Sequence, residues 1–303
     1  MALTPFATDG SVDHEALTAH LERLVGAGAG VYPAGPGAGE GHALTPREFR
    51  EVCETTVRVC GGKVPVIGSP REAASAKDVL TYATEAVAAG VDAVQIYQLN
   101  GGHGMVPNPE EQEAYFRDLL EAIRTPVAIS VHFTAGYRAS IDLLTRLRQE
   151  YDHIVAFNLM GADADYFTNL RDAIPERVAM HVRMNNLVQG LALGASGALA
   201  AEPNIIPHTC ESILDAWACG DTQRLIASTI AMQRFANVVN RWAPSTARWV
   251  KMALRVLGLP GGKGPLRRPY LMPAEAAQHE MLRLFRGLRI PELDELLAPA
   301  EST

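Results

Sequence analysis

Lysine is scarce in this chain. Of 303 residues only four are lysine, at Lys63, Lys77, Lys251 and Lys263, although lysine and arginine together number 27. Chemistry that needs a reactive amine has few residues to draw on. Positive charge is short overall: the formal net charge is −7 and the pI is near 5.7. A phosphate backbone is poorly served by that balance, and no basic face carries interleaved aromatics, so nucleic acid is not an expected partner. Long apolar runs are missing too. The longest, near "GLALGASGALAA" (190–201), is too short and too rich in glycine to span a bilayer, so no membrane partner is expected. No charged n-region with an apolar h-region marks a secretory signal. The four cysteines, Cys53, Cys60, Cys210 and Cys219, form no CxxC pair. They are expected to be buried free thiols in a reducing cytoplasm.

What is present is alternation. Hydrophobic residues make up 48% and charged residues 20%, an ordinary globular composition. Short apolar or β-branched runs are each followed by a helical pattern. The runs are "MALTPF" (1–6), "GVYPAG" (30–35), "VPVIGS" (64–69), "DAVQIY" (92–97), "PVAISVHF" (126–133), "HIVAFN" (153–158), "RVAMHVR" (177–183) and "GALAAE" (197–202). Alternating βα units imply a parallel sheet covered on both faces. Eight units in about 220 residues favour an α/β fold of the (β/α)8 TIM barrel type over an open sheet. Thr45-Pro46 before Glu48 and Asn108-Pro109 before Glu110 signal helix starts. Three more helical stretches follow the eighth unit. The expected organisation is a barrel over 1–220 and a helical extension over 221–303, with the closing "APAEST" outside the packed part. The first strand reads as very short.

Five stretches, in order along nearly the whole chain, carry a family resemblance. They are "ALTPF" (2–6), "AGPGAGEGHALTPREF" (34–49), "AVAAGVDAVQIY" (86–97), "LALGASGALAAEPNIIP" (191–207) and "GLPGGKGPLRRPYLMP" (258–273). Together they resemble the dihydrodipicolinate synthase / N-acetylneuraminate lyase family. The resemblance implies a TIM barrel with a helical tail, assembled as a homo-oligomer (tetramer or dimer), acting on a small-molecule substrate. Members generally act on 2-oxo acids through a lysine Schiff base and need no further cofactor.

The sequence departs from that pattern where the chemistry sits. The sixth run carries Asn158 where the family carries its lysine. Lys63 precedes the third strand, Lys77 falls in a helix, and Lys251 and Lys263 lie in the extension, so none is expected at the C-terminal strand ends. The family's proton-relaying tyrosine falls at Ser130. Its Thr-Thr pair becomes Pro36-Gly37-Ala38 in a loop one residue longer, whose backbone N–H groups could still meet an anion. The Gly39-Glu40 pair is retained, Tyr97 matches one family tyrosine, and Arg138 stands near the family's carboxylate-contacting arginine.

The polar residues near predicted strand ends suggest a replacement. His42 and His103 follow the second and fourth strands. His132, Asn158, His181, Arg183 and Glu202 mark the fifth to eighth. Strand residues alternate in and out, so His181 and Arg183 are expected to share a face. One reading is acid/base catalysis by His132 or His181, with Asn158 polarising a substrate carbonyl. Substrate binding would fall to Gly39, Glu40, Tyr97, Ser130, Arg138 and Arg183. The reaction would be an aldol, hydration or cyclisation step without a covalent amine. A metal held by His132, His181 and Glu202 is a second reading, but no HxH or HExxH spacing supports it and no metal is expected. A third is a non-catalytic ligand-binding or regulatory member. The loop "GGHG" (101–104) reads equally as a lid or a plain connection, Glu40 as a possible helix cap, and Glu202 as a strand-end hydrogen-bond anchor.

Overall fold

A computed structural model describes residues 1–72, 75–132, 135–174, 178–242 and 246–298; the side chain of His132 lies outside the described part. The alternation in the sequence appears as alternation in space. Six parallel strands, β1 (Ile67–Gly68), β2 (Ala93–Tyr97), β3 (Val127–His132), β4 (Ile154–Met160), β5 (Ala179–Val182) and β6 (Gly197–Ala198), lie side by side in chain order. They are the strands of the third to eighth units. The first two units flank them. Val31 bridges Val66 in parallel, Ala2 N donates to Tyr32 O at 2.9 Å, and Met1 N donates to Ala200 O at 2.7 Å.

Each of the eight units leads into a helix on the outside. These are α1 (His14–Gly26), α2 (Pro46–Cys60), α3 (Ala76–Ala88), α4 (Pro109–Ala122), α5 (Ile141–Glu150), α6 (Ala164–Ala173), α7 (Leu187–Ala192) and α8 (Pro207–Cys219). The expected starts of α2 and α4 are where the sequence puts them. Both open on proline, and each has a reciprocal capping box: Thr45 with Glu48, Asn108 with Glu111. In α4 the reciprocal partner is Glu111, the third residue after the cap, and Glu110 only adds charge to the first turn. Outward strand residues such as Val94, Ile96, Ile129 and Phe157 are fully buried against these helices.

The helical extension is observed: α9 (Thr222–Val239), α10 (Thr246–Val256) and α11 (Glu275–Leu288). A last helix, α12 (Pro291–Leu297), was not apparent in the sequence; its seven residues are too few for a strong period. Phe235 of α9 stacks on Phe285 of α11, with ring centroids 5.6 Å apart. Among the described residues no helix is long and apolar enough to cross a membrane. All four cysteines are free. Cys53, Cys60 and Cys210 are buried, whereas Cys219, at the end of α8, is exposed, against expectation.

Asn204 ties the eighth unit to the first. Its Oδ1 accepts from Leu3 N (3.0 Å) and His20 Nε2 (2.8 Å), and its Nδ2 donates to Met1 O and Ala201 O. Ala201 N donates to Glu202 Oε2 at 3.1 Å, consistent with a strand-end anchor.

Candidate active site

The register brings the central residues into one row. Tyr97 pairs with Ser130, Ser130 with Asn158, Asn158 with His181, and His181 with Gly197. Asn158 is fully buried. Its Nδ2 donates to Gln95 Oε1 and, at 3.5 Å, to the Tyr32 hydroxyl. Gln95 Nε2 in turn donates to Ser69 Oγ (2.9 Å) and the Tyr97 hydroxyl (2.5 Å). A polar chain therefore crosses the sheet interior from Ser69 to His181.

His181 ends that chain. Its Nδ1 lies 2.7 Å from Asn158 Oδ1. A carbonyl oxygen only accepts, so with the amides oriented as they are here Nδ1 carries the proton. Nε2 of the neutral ring then holds a lone pair. Burial lowers the pKa of His181 from its ordinary value, which keeps the ring neutral at pH 7. The ring is half-buried and lines a cavity of about 690 Å³.

That cavity differs from the expected mouth. Gly30, Pro65, Asp92 and Pro126, which precede the strands, line it, so it runs from their N-terminal ends to His181. The cause is side-chain size. Ala93, Ala128, Ala156 and Ala179 line its walls, whereas barrels of this kind usually fill their interior with branched residues.

The other sequence-selected residues are dispersed. Tyr97 is buried in the polar chain, and burial raises its pKa above the ordinary tyrosine value. Ser130 is buried, and its hydroxyl has no hydrogen-bond partner among the described residues. Arg138 pairs with Asp163 (3.2 Å) and lies over the Tyr166 ring. Arg183 stands two residues past His181 on extended backbone (φ −71°, ψ 153°), just outside the strand. β5 ends at Val182, and Arg183 turns out to solvent ahead of a 3-10 turn, Met184–Asn186. His103 is exposed with φ 44° in its glycine loop. His132 ends β3, with its side chain outside the described residues.

Gly39 and Glu40 serve the loop that holds them. A Cβ on Gly39 would stand 2.7 Å from Gly35 N, so glycine is required by the loop's close approach to itself. Glu40 is left-handed at φ 49°, buried, and does not cap α2; its carboxylate accepts from Lys251 Nζ and Arg267 N. Lys251 thus corrects its sequence placement. It lies in α10, but it reaches the loop after the second strand. Its Nζ also donates to Pro265 O at 2.9 Å and sits 4.2 Å from the Phe6 ring centroid. Burial lowers its pKa while Glu40 raises it.

Sequence reasoning passed over Tyr32, Ser69 and Gln95. Gln95 had a readable signal: it is the one polar side chain within the buried run "AVQIY", two residues from Tyr97 and therefore on the same face. Among the described residues no group of three His, Cys, Asp or Glu side chains could hold a metal.

Comparison with known proteins gives one family. Its model, the dihydrodipicolinate synthetase family, matches residues 1–286. A 4-hydroxy-tetrahydrodipicolinate synthase of Methanopyrus kandleri is 29% identical over 231 residues, covering 73% of this chain and 74% of the relative. One from Exiguobacterium sibiricum is 26% identical over 294 residues, covering 94% and 95%. The crystal structure of a dihydrodipicolinate synthase from Bacillus anthracis superposes with a TM-score of 0.86 at 23% identity, covering 96% of each chain. That of an Escherichia coli prophage protein of the same family, in complex with pyruvate, gives a TM-score of 0.85 at 18% identity over 95% of this chain and 96% of that one.

Proposed function

This chain belongs to the dihydrodipicolinate synthetase family, and on that premise we propose that it is a lyase working by acid/base chemistry without a lysine Schiff base. The substrate class is a small 2-oxo or 2-hydroxy acid, as the pyruvate bound by the related prophage protein suggests. The scaffold is a closed (β/α)8 barrel over 1–220 with a helical extension over 221–303. The hydrogen bonds from Met1 to Ala200 and from Ala2 to Tyr32, with the Val31–Val66 bridge, support the closure. The chain works as a homo-oligomer, the assembly the family resemblance implies.

The observation that carries the reading is the 2.7 Å contact between Asn158 and His181. An amide nitrogen is not nucleophilic, so Asn158 cannot form an iminium. It can hold an imidazole in one tautomer, as an orienting group does in other acid/base sites. His181 Nε2 then takes a proton from the carbon next to a substrate carbonyl or from a substrate hydroxyl. The resulting imidazolium keeps its Nδ1–H on Asn158 Oδ1 and returns the proton from Nε2. The lysines support the same reading. Lys251 is engaged by Glu40, Pro265 and Phe6. Lys63 donates to Val59 O at 3.0 Å, and Lys77 and Lys263 are exposed.

A second reading, a ligand-binding member without catalysis, draws on one observation: Asn158 and Ser130 are fully buried. Deuterium exchange at the carbon beside the carbonyl separates the two. Incubation of small 2-oxo acids, pyruvate among them, in heavy water should give enzyme-dependent exchange by proton NMR, lost in His181→Ala. No exchange with any of them favours the binding reading.

A further inference from the structure

A recess outside the His181 network lies at the other end of the sheet. It has a volume of about 410 Å³ and is bounded by Gly37 and His42 from the loop after the second strand, Thr246 and Arg248 from the start of α10, and Tyr270. A second recess of about 480 Å³ adjoins it, walled by Trp242, Pro269 and Leu271. Arg248 and Tyr270 line both, so the two form one cleft.

The charges of the cleft do not cancel. Glu40 lines it, but its carboxylate is taken by Lys251 and Arg267. Arg241 also lines it and pairs with Glu280 at 3.1 Å. Arg248 is half-buried and makes no hydrogen bond or ion pair to any described residue. A guanidinium presents five N–H donors in a planar fork, and no nitrogen of Arg248 is shut away from solvent, so the fork is open to an incoming acceptor. Of the remaining lining, Leu271 (60% accessible) and Tyr270 (43%) are exposed apolar surface, Trp242 and Thr246 are half-buried, and Ala247 and Leu266 are buried. Tyr270 is held edge-on by the His42 ring, with centroids 5.4 Å apart. Aromatic surface of this kind beside one unpaired guanidinium matches a molecule with an apolar body and a single carboxylate.

We propose that this cleft is a binding site for an aromatic monocarboxylic acid, its carboxylate on the Arg248 fork and its ring against Tyr270, Leu271 and Trp242. The site is independent of the His181 network and does not rest on that chemistry.

Titration of the full chain with phenylacetate, followed by calorimetry and by tryptophan fluorescence, tests the site. Saturable binding is expected, with neutral phenylacetamide and apolar-poor acetate each weaker by about tenfold or more. Arg248→Gln should weaken phenylacetate by at least about tenfold, and Arg248→Lys by less, since it keeps the charge and loses the fork. Leu271→Ser should narrow the preference for phenylacetate over acetate. His181→Ala should bind phenylacetate as the wild type does. The proposal is overturned by absence of saturable binding to the wild type, by equal binding to Arg248→Gln with an unchanged circular dichroism spectrum, or by loss of binding in His181→Ala.

Discussion

Asn158 Oδ1 accepts the Nδ1–H of His181 at 2.7 Å, from the neighbouring strand and in direct register with it. The contact sets which nitrogen of the ring is free. It also places the Asn158 amide beside a titratable group. Removing the ring should lower turnover of the true substrate by about 10²- to 10⁴-fold, the ordinary worth of a general acid/base. Asn158→Ala should retain the imidazole but lose its orientation. Nitrogen-15 NMR of the histidine rings checks this directly: wild-type His181 should titrate below the ordinary histidine value and show the Nδ1–H tautomer, and Asn158→Ala should mix the two tautomers.

Ser130 gives a sharper separation of fold from function. Its hydroxyl is buried without a hydrogen-bond partner among the described residues. A buried hydroxyl with no hydrogen bond is a cost, so Ser130→Ala should leave stability unchanged or raise it by up to roughly 1 kcal/mol. Thermal unfolding measures that. If Ser130 touches substrate, the same variant loses activity while its melting temperature stays or rises.

The Glu40–Lys251 pair should behave in the opposite way. Both side chains are buried, and each removes the other's charge from an apolar setting. Lys251→Met leaves the Glu40 carboxylate facing Arg267 N alone and should cost on the order of 3–5 kcal/mol. Glu40→Gln combined with Lys251→Met should cost much less than the sum of the two single changes. Urea unfolding of the three variants tests it; additive losses would show that the pair is not coupled.

His20 makes stability depend on pH. Burial lowers its pKa to about 4, with the Asn204 hydrogen bond opposing and the Arg23 charge adding to the drop. As pH falls through the ordinary histidine value near 6.5, the unfolded chain takes up the proton and the folded one does not. This group's contribution therefore falls between about pH 6.5 and 4, by roughly 3 kcal/mol, and levels off below. The urea midpoint of the wild type, compared with His20→Gln across that range, should show the excess slope in the wild type alone.

The fold was largely legible because its signals are local. Six of the eight runs read as strands in the sequence are strands in the sheet, and Pro46 and Pro109 open their helices as expected. The site was legible only in part. Asn158 and His181 were visible as polar residues in apolar strands, and the register joins them. Lys251 meets Glu40 across 211 positions, which no spacing rule anticipates. Arg183 fell outside its strand because β5 ends one residue earlier than the alternation suggested. The cavity beside His181 depends on several alanines from different strands facing one another, and their placement exists only in three dimensions.

Acid/base chemistry at His181 requires that no lysine of this chain forms an iminium with substrate. Incubation with pyruvate and sodium borohydride, followed by intact-mass measurement, reads it out in one step. An unchanged mass is expected for the wild type. A mass increase equal to one reduced pyruvate adduct, mapped to Lys251 or any other lysine, would contradict it.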